Sequence, residues 1–174
     1  MGERLRAILG SAVFLVIAPG FLAGLVPWEI TRWEMLTPFA GYGPIRIVGA
    51  VFIAAGLPVL LDSFARFALE GLGTPAPVAP PRRLVVRGFF RHVRNPMYVA
   101  VTSLIVGQGF LFGNWRLFVV AAVFWLFFHI FVLAYEEPTL RSTFGREYEA
   151  YCAGVGRWLP RLTPWRGGAG AGLP

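Results

Sequence analysis

Two adjacent carboxylates, Glu136 and Glu137, close a long apolar run in the stretch "AYEEPTLRSTFGREYEAY". At the C-terminal end of a helix each would face the negative pole of the helix dipole, and side by side they repel one another. Two readings stand. Either the pair marks the boundary with water, Pro138 opening the next helix, or at least one carboxylate faces a cavity and binds a cation. The second is the default expectation for an acid at membrane depth.

Other chemistry is sparse. The two histidines, His92 and His129, come without an HExxH motif or a cysteine cluster, so no metal site is expected. His129 lies two helical turns before Glu136, placed to face a substrate or to be satisfied in the interior. No GxSxG or Ser-His-Asp grouping can be placed. The "GQG" at 107–109 lies inside an apolar run and fits no dinucleotide-binding turn. Its small residues suit close helix packing or the lining of a ligand cleft. Cys152 is the single cysteine and has no partner for an intramolecular disulfide.

The elements that must position these groups are helices in a membrane. The chain has 174 residues, 56% hydrophobic and 14% charged, against about a quarter charged in soluble domains. Uncharged runs cover 7–28, 95–115 and 117–135, each close to the roughly 20 residues that span a bilayer core. A shorter run, 47–61, reaches spanning length if Ile45 to Leu69 is one helix in which Asp62 and Arg66 pair at i,i+4. The first run, led by Arg4 and Arg6, reads as a retained span rather than a signal peptide, because no small-x-small cleavage site follows.

All sixteen basic residues are arginine and the net charge is +7, which fits a GC-rich bacterial genome and an inner-membrane protein. No nucleic-acid motif accompanies the charge, so no nucleic-acid partner is expected. With four spans and an inside N-terminus, thirteen arginines fall on the cytoplasmic side and Arg32, Arg46 and Arg116 outside. That bias puts both termini in the cytoplasm. Trp28, Trp33, Phe39 and Tyr42 suit an outer aromatic belt, with room for a short helix lying in the surface. Residues 71–81, "GLGTPAPVAPP", form a proline-rich connector into "RRLVVRGFFRHVRNP" at the cytoplasmic face. Gly113 and Asn114 turn the next two spans into a helical hairpin. After Pro138, Leu140, Phe144, Tyr148 and Tyr151 recur at helical spacing, predicting a cytoplasmic amphipathic helix of about four turns. The expected organisation is a two-span region at 1–70, a site-bearing region at 71–166 and a disordered tail at 167–174.

"RHVRNPMYVA", then "EEPTLRSTFGREYEAY" about forty residues later, then "VGRWLPR", resembles the C-terminal half of the isoprenylcysteine carboxyl methyltransferase and phospholipid methyltransferase superfamily. Those are membrane-embedded enzymes that use S-adenosylmethionine. The resemblance covers roughly Arg82 to Arg161. It implies an all-α membrane fold of about four spans plus the C-terminal amphipathic helix, and methyl transfer to a small or lipidic acceptor, with membrane lipids as partners. It implies cofactor contacts at Arg82, Arg83, Leu84, Val85 and Phe90, at the segment Asn95, Pro96, Met97 and Tyr98, at Gly107 and Gly109, and at Glu136 with Glu137 beside it. His129 and Arg157 are the candidates for substrate contact, Arg157 by clamping a carboxylate or phosphate. Tyr148, Tyr151 and Trp158 suit packing and interfacial anchoring.

The sequence departs from the isoprenylcysteine branch at Asn95, where a histidine is common, and at Ala100, where glycine is. Val132 falls where that branch carries the arginine that engages prenylcysteine, which leaves the acceptor open. The alternatives are a membrane reductase of related architecture gripping NADPH phosphates with the arginines of 82–94, and a non-catalytic lipid-binding protein. The paired carboxylates suit a cation better than a polyphosphate.

Overall fold

The computed structural model describes residues 2–70 and 83–167, and their side chains apart from those of 2–7 and 70. Arg82, the connector at 71–81 and residues 168–174 lie outside the described residues. Helix α1 (Gly2–Gly20) passes through a π turn (Phe21–Leu25) into α2 (Val26–Thr31). Helix α3 is Ile45–Glu70 and α4 is Pro96–Phe112. Helix α5 (Arg116–Phe131) passes through a second π turn (Val132–Glu136) into α6 (Glu137–Phe144), followed by α7 (Arg146–Gly154). No strand occurs among the described residues. Ile8–Thr31, Ile45–Leu69 and Arg116–Phe144 are long and apolar enough to cross a membrane, while Pro96–Phe112 is shorter. The expected all-α integral membrane architecture, with four apolar helices and an amphipathic C-terminal segment, is the one observed. The outward faces are apolar and open, with Val16 72% and Ile47 65% exposed. That is a surface for lipid rather than water.

Both π turns have the same cause. Each stands just before a proline, Pro27 or Pro138, whose ring would clash with the carbonyl four residues back and cannot donate to it. Widening the helix by one residue relieves the clash. Pro27 leaves the Ala23 carbonyl without its usual donor, and Gln108 Nε2 on α4 donates to it at 2.7 Å. The acidic doublet therefore does not end a helix, contrary to its reading as a terminus. It sits inside one, at the exit of the second π turn.

The four long segments alternate in direction. Phe14 stacks near Phe64, Gly56 abuts Ala100, and Tyr98 stacks on Phe128 with ring centroids 4.5 Å apart. The later half of α1, the end of α3, the start of α4 and the end of α5 thus gather together. Buried side chains from three helices form the core around Ile105 and Leu117, both fully enclosed. Helices α3 and α4 cross at glycines: a Cβ on Gly107 would lie 2.8 Å from the Gly49 carbonyl oxygen. Backbone cannot retreat as a side-chain tip can. Gly107→Ala is expected to cost about 1–3 kcal/mol by overpacking, read as a lowered melting temperature in detergent.

At the far face, Leu36 N–H donates to the Phe112 carbonyl at 3.0 Å and Phe39 packs on Phe110 and Phe118. The loop carries a single 3-10 turn, Phe39–Gly41. Trp33 and Tyr42 stay exposed, as a belt requires. On α3 the spaced pair forms, with Arg66 Nε 3.1 Å from Asp62 Oδ1. The amphipathic segment after Pro138 comes in two pieces. Gly145, at φ 50° and ψ −121°, adopts a conformation that costs only glycine little, and it turns α7 away from α6. Tyr148, Tyr151 and Val155 then bury into a satellite core with Leu84, Leu140 and Trp165.

Candidate functional site

The doublet is divided between two environments. Glu137 is 3% exposed and meets three arginines. Arg157 binds it through two bonds, Nε to Oε1 and Nη2 to Oε2 at 3.1 Å. Arg94 Nη1 lies 3.2 Å from Oε1, and Arg141 Nη2 3.6 Å from Oε2. The carboxylate of Glu137 holds the Arg157 guanidinium above its usual pKa. Glu136 instead accepts a hydrogen bond from the Tyr98 hydroxyl at 3.1 Å and borders a cavity of about 310 Å³. Successive helical residues point about 100° apart, so neighbours in sequence reach different surroundings.

The cavity is built by all four long segments. Phe14, Ala18 and Pro19 of α1 with Leu22 of the first π turn form one wall, and Phe64 and Phe67 of α3 another. Phe127, Phe128 and Phe131 of α5 face them, and Phe90, Asn95, Pro96, Met97 and Tyr98 supply the floor. Its charged members are Glu136 and Arg94. Arg94 Nη1 donates to Cys152 Sγ at 2.7 Å, while its Nε is buried with no hydrogen-bond partner among the described residues. A carboxylate, a buried guanidinium with an unpartnered donor, and aromatic walls fit a small zwitterion attached to an apolar or aromatic body. The volume lies at the lower end of the roughly 300–1,000 Å³ common for ligand pockets.

The floor is held by the C-terminal segment. Arg94 N–H donates to the Gly156 carbonyl at 2.9 Å, Arg161 N–H to His92 and Trp165 N–H to Arg91. Asn95 precedes α4, and its Nδ2 donates to the Arg157 carbonyl at 3.2 Å. The Tyr151 hydroxyl donates to the Phe90 carbonyl at 2.6 Å. Burial pushes that phenol well above its ordinary pKa, so it remains a neutral donor.

The residues expected at the site divide accordingly. Phe90, Asn95, Pro96, Met97, Tyr98 and Glu136 line one cavity. Glu137 and Arg157 stand beside it as an ion pair. Arg83 is exposed, whereas Leu84 packs on the satellite core and Val85 is buried. None of these three lines the cavity. Gly107 packs on Gly49, and a Cβ on Gly109 would touch the Phe118 ring, so both serve helix crossings. His129 Nδ1 accepts from Trp158 Nε1 at 3.0 Å and its ring stacks on Trp125. It too is outside the cavity lining.

Sequence reasoning gave Arg94, the residue directly before Asn95, a part only among the arginines of the NADPH alternative, and it passed over the contributions of α1 and α3. Arg94 could have been singled out as an arginine adjoining the Asn-Pro-Met-Tyr segment. Phe14 or Phe64 carries no signal that separates a cavity wall from a lipid contact.

A family model described as "Phospholipid methyltransferase" matches residues 45–147. No curated protein and no solved structure matches.

Proposed function

The chain belongs to the phospholipid methyltransferase family, and from that premise we propose that it holds S-adenosylmethionine in the cavity bordered by Glu136, Arg94 and Tyr98. Members of the family are S-adenosylmethionine-dependent membrane methyltransferases acting on lipid-type acceptors. Family membership therefore sets aside the reductase and the non-catalytic readings. The observation that carries the assignment is the division of the doublet, which leaves one carboxylate at an aromatic-walled cavity while the other is consumed by arginines.

Bound S-adenosylmethionine supplies a methyl group already activated by a positively charged sulfur. Glu136 offers the negative charge that an α-amino group or the sulfonium requires. Tyr98 fixes that carboxylate through Oε2, and Arg94 offers its unpartnered Nε to the cofactor's carboxylate. Phe90, Phe128 and Phe131 exclude water and give the adenine an apolar bed. A displacement of this kind gains most from alignment and a dry site, so it needs no resident acid or base.

The acceptor enters from the bilayer between α1 and α5, whose side chains close the cavity's flanks. Val132, in the position of the prenylcysteine-engaging arginine, is 1% exposed inside the helix packing. That favours an acceptor other than prenylcysteine. The floor of the cavity, Phe90 to Tyr98, carries Arg94 and adjoins Arg91, and the arginine bias favours a cytoplasmic location for it, where the soluble cofactor is available.

Calorimetric titration of the purified protein with S-adenosylhomocysteine is expected to give saturable one-site heat. Absence of heat in a folded sample would sink the assignment. Mass spectrometry of lipids methylated in its presence then identifies the acceptor.

A further inference from the structure

Arg94 is the cation in the lining of the donor cavity, and its side chain is 10% exposed. Its Nε is buried with no hydrogen-bond partner among the described residues. A polar atom in that position calls for an anion from a ligand. An arginine side chain has many rotamers, and its five donors lie on one rigid plane. The direction of Nε is therefore set by whatever holds the rest of the guanidinium.

Nη1 has two neighbours that accept. Glu137 Oε1 lies 3.2 Å away, but that carboxylate is already bound by two nitrogens of Arg157. Cys152 Sγ accepts from the same Nη1 at 2.7 Å. Cys152 stands on α7, half-buried against the satellite core, and does not line the cavity. It directly follows Tyr151, whose hydroxyl holds the Phe90 carbonyl of the cavity floor. The Arg94 N–H in turn donates to the Gly156 carbonyl, just beyond α7. The C-terminal segment thus grips Arg94 twice, at its backbone and at the tip of its side chain.

We propose that Cys152 is a positioning residue of the methyl-donor site: its sulfur orients the Arg94 guanidinium so that Nε meets the donor's carboxylate. This inference rests on the reading of the cavity as the S-adenosylmethionine site. A sulfur atom is a weak acceptor, but here it acts on a side chain whose remaining donor is committed to the ligand. A guanidinium fixed before the ligand arrives loses less freedom on binding, and the ligand gains affinity accordingly. Only a ligand that carries the carboxylate gains from it.

The test compares two ligands that share adenosine and sulfur and differ in the amino-acid tail. S-adenosylhomocysteine has the α-amino and α-carboxylate groups, and methylthioadenosine has neither. Both are titrated calorimetrically against the full chain in neutral detergent, and the melting temperature by tryptophan fluorescence controls for folding. Wild type is expected to bind S-adenosylhomocysteine the more tightly. In Cys152→Ala that affinity should fall about fivefold or more, the loss of one weak bond to a charged group. Methylthioadenosine should bind the variant as it binds wild type. Cys152→Ser, whose hydroxyl still accepts, should recover most of the loss. Cys152→Val fills the thiol's space without an acceptor and should behave as the alanine variant does.

Equal weakening of both ligands would make Cys152 a packing residue only and overturn the proposal. So would unchanged S-adenosylhomocysteine binding in the alanine and valine variants, or a serine variant as weak as alanine. If wild type binds both ligands equally, Arg94 does not engage the carboxylate and the positioning role falls while the donor site stands. If wild type binds neither, the donor-site reading fails and takes this inference with it.

Discussion

Glu136→Gln is expected to weaken S-adenosylhomocysteine binding by about 10- to 100-fold, with the melting temperature close to that of wild type. The amide keeps the volume of the carboxylate and can still accept from the Tyr98 hydroxyl, so the hydrogen bond across the cavity persists. What disappears is the negative charge opposite the ligand's α-amino group. A hydrogen bond to a charged group contributes about 1.5–3 kcal/mol, and each 1.4 kcal/mol is about tenfold in affinity. S-adenosylmethionine should lose more than S-adenosylhomocysteine, because its sulfonium adds a second positive charge. Calorimetry with both ligands reads the difference. Undiminished binding by the variant would remove Glu136 from the site.

Glu137→Gln should show the opposite pattern, a large loss of stability. Glu137 is buried where Arg94 and Arg157 converge, with Arg141 at its edge. Removing one partner from a buried ion pair costs about 3–5 kcal/mol, because the remaining charges lose their compensation. Arg141 contributes little to that figure, since its side chain is 46% exposed and water screens it. In a chain of this size the melting temperature should fall on the order of 10 °C. Any loss of ligand binding would follow from movement of Arg94 and of the Arg157 carbonyl that holds Asn95. A Glu137→Gln protein as stable as wild type would contradict the structural role. The two variants together separate a binding carboxylate from a structural one within a single dipeptide.

The helices were legible in the sequence because uncharged runs of spanning length admit few other structures in a bilayer. The Asp62–Arg66 pair followed from spacing alone. Part of the site was legible through the resemblance, which implies both Tyr98 and Glu136: far apart in sequence, their side chains do meet. Division of labour within the doublet was not legible. It depends on the π turn at Val132–Glu136 and on the three arginines around Glu137, which come from separate segments. Nor could the roles of Gly107 and Gly109 be assigned in advance. Small residues permit close approach to a ligand and to another helix alike, and only the positions of Gly49 and Phe118 decide between them. The break at Gly145 escaped notice because the apolar spacing continues across it.

The π turn before Pro138 amounts to one residue more than the same length of α-helix would hold. Excising a single residue from Val132–Leu133–Ala134–Tyr135 would rewind that turn as α-helix, leaving what lies beyond it near its present bearing but bringing the Pro138 ring back against the carbonyl four residues before it. Length and proline are thus tied together here, and a descendant of this chain could shorten the segment only by giving up Pro138 as well.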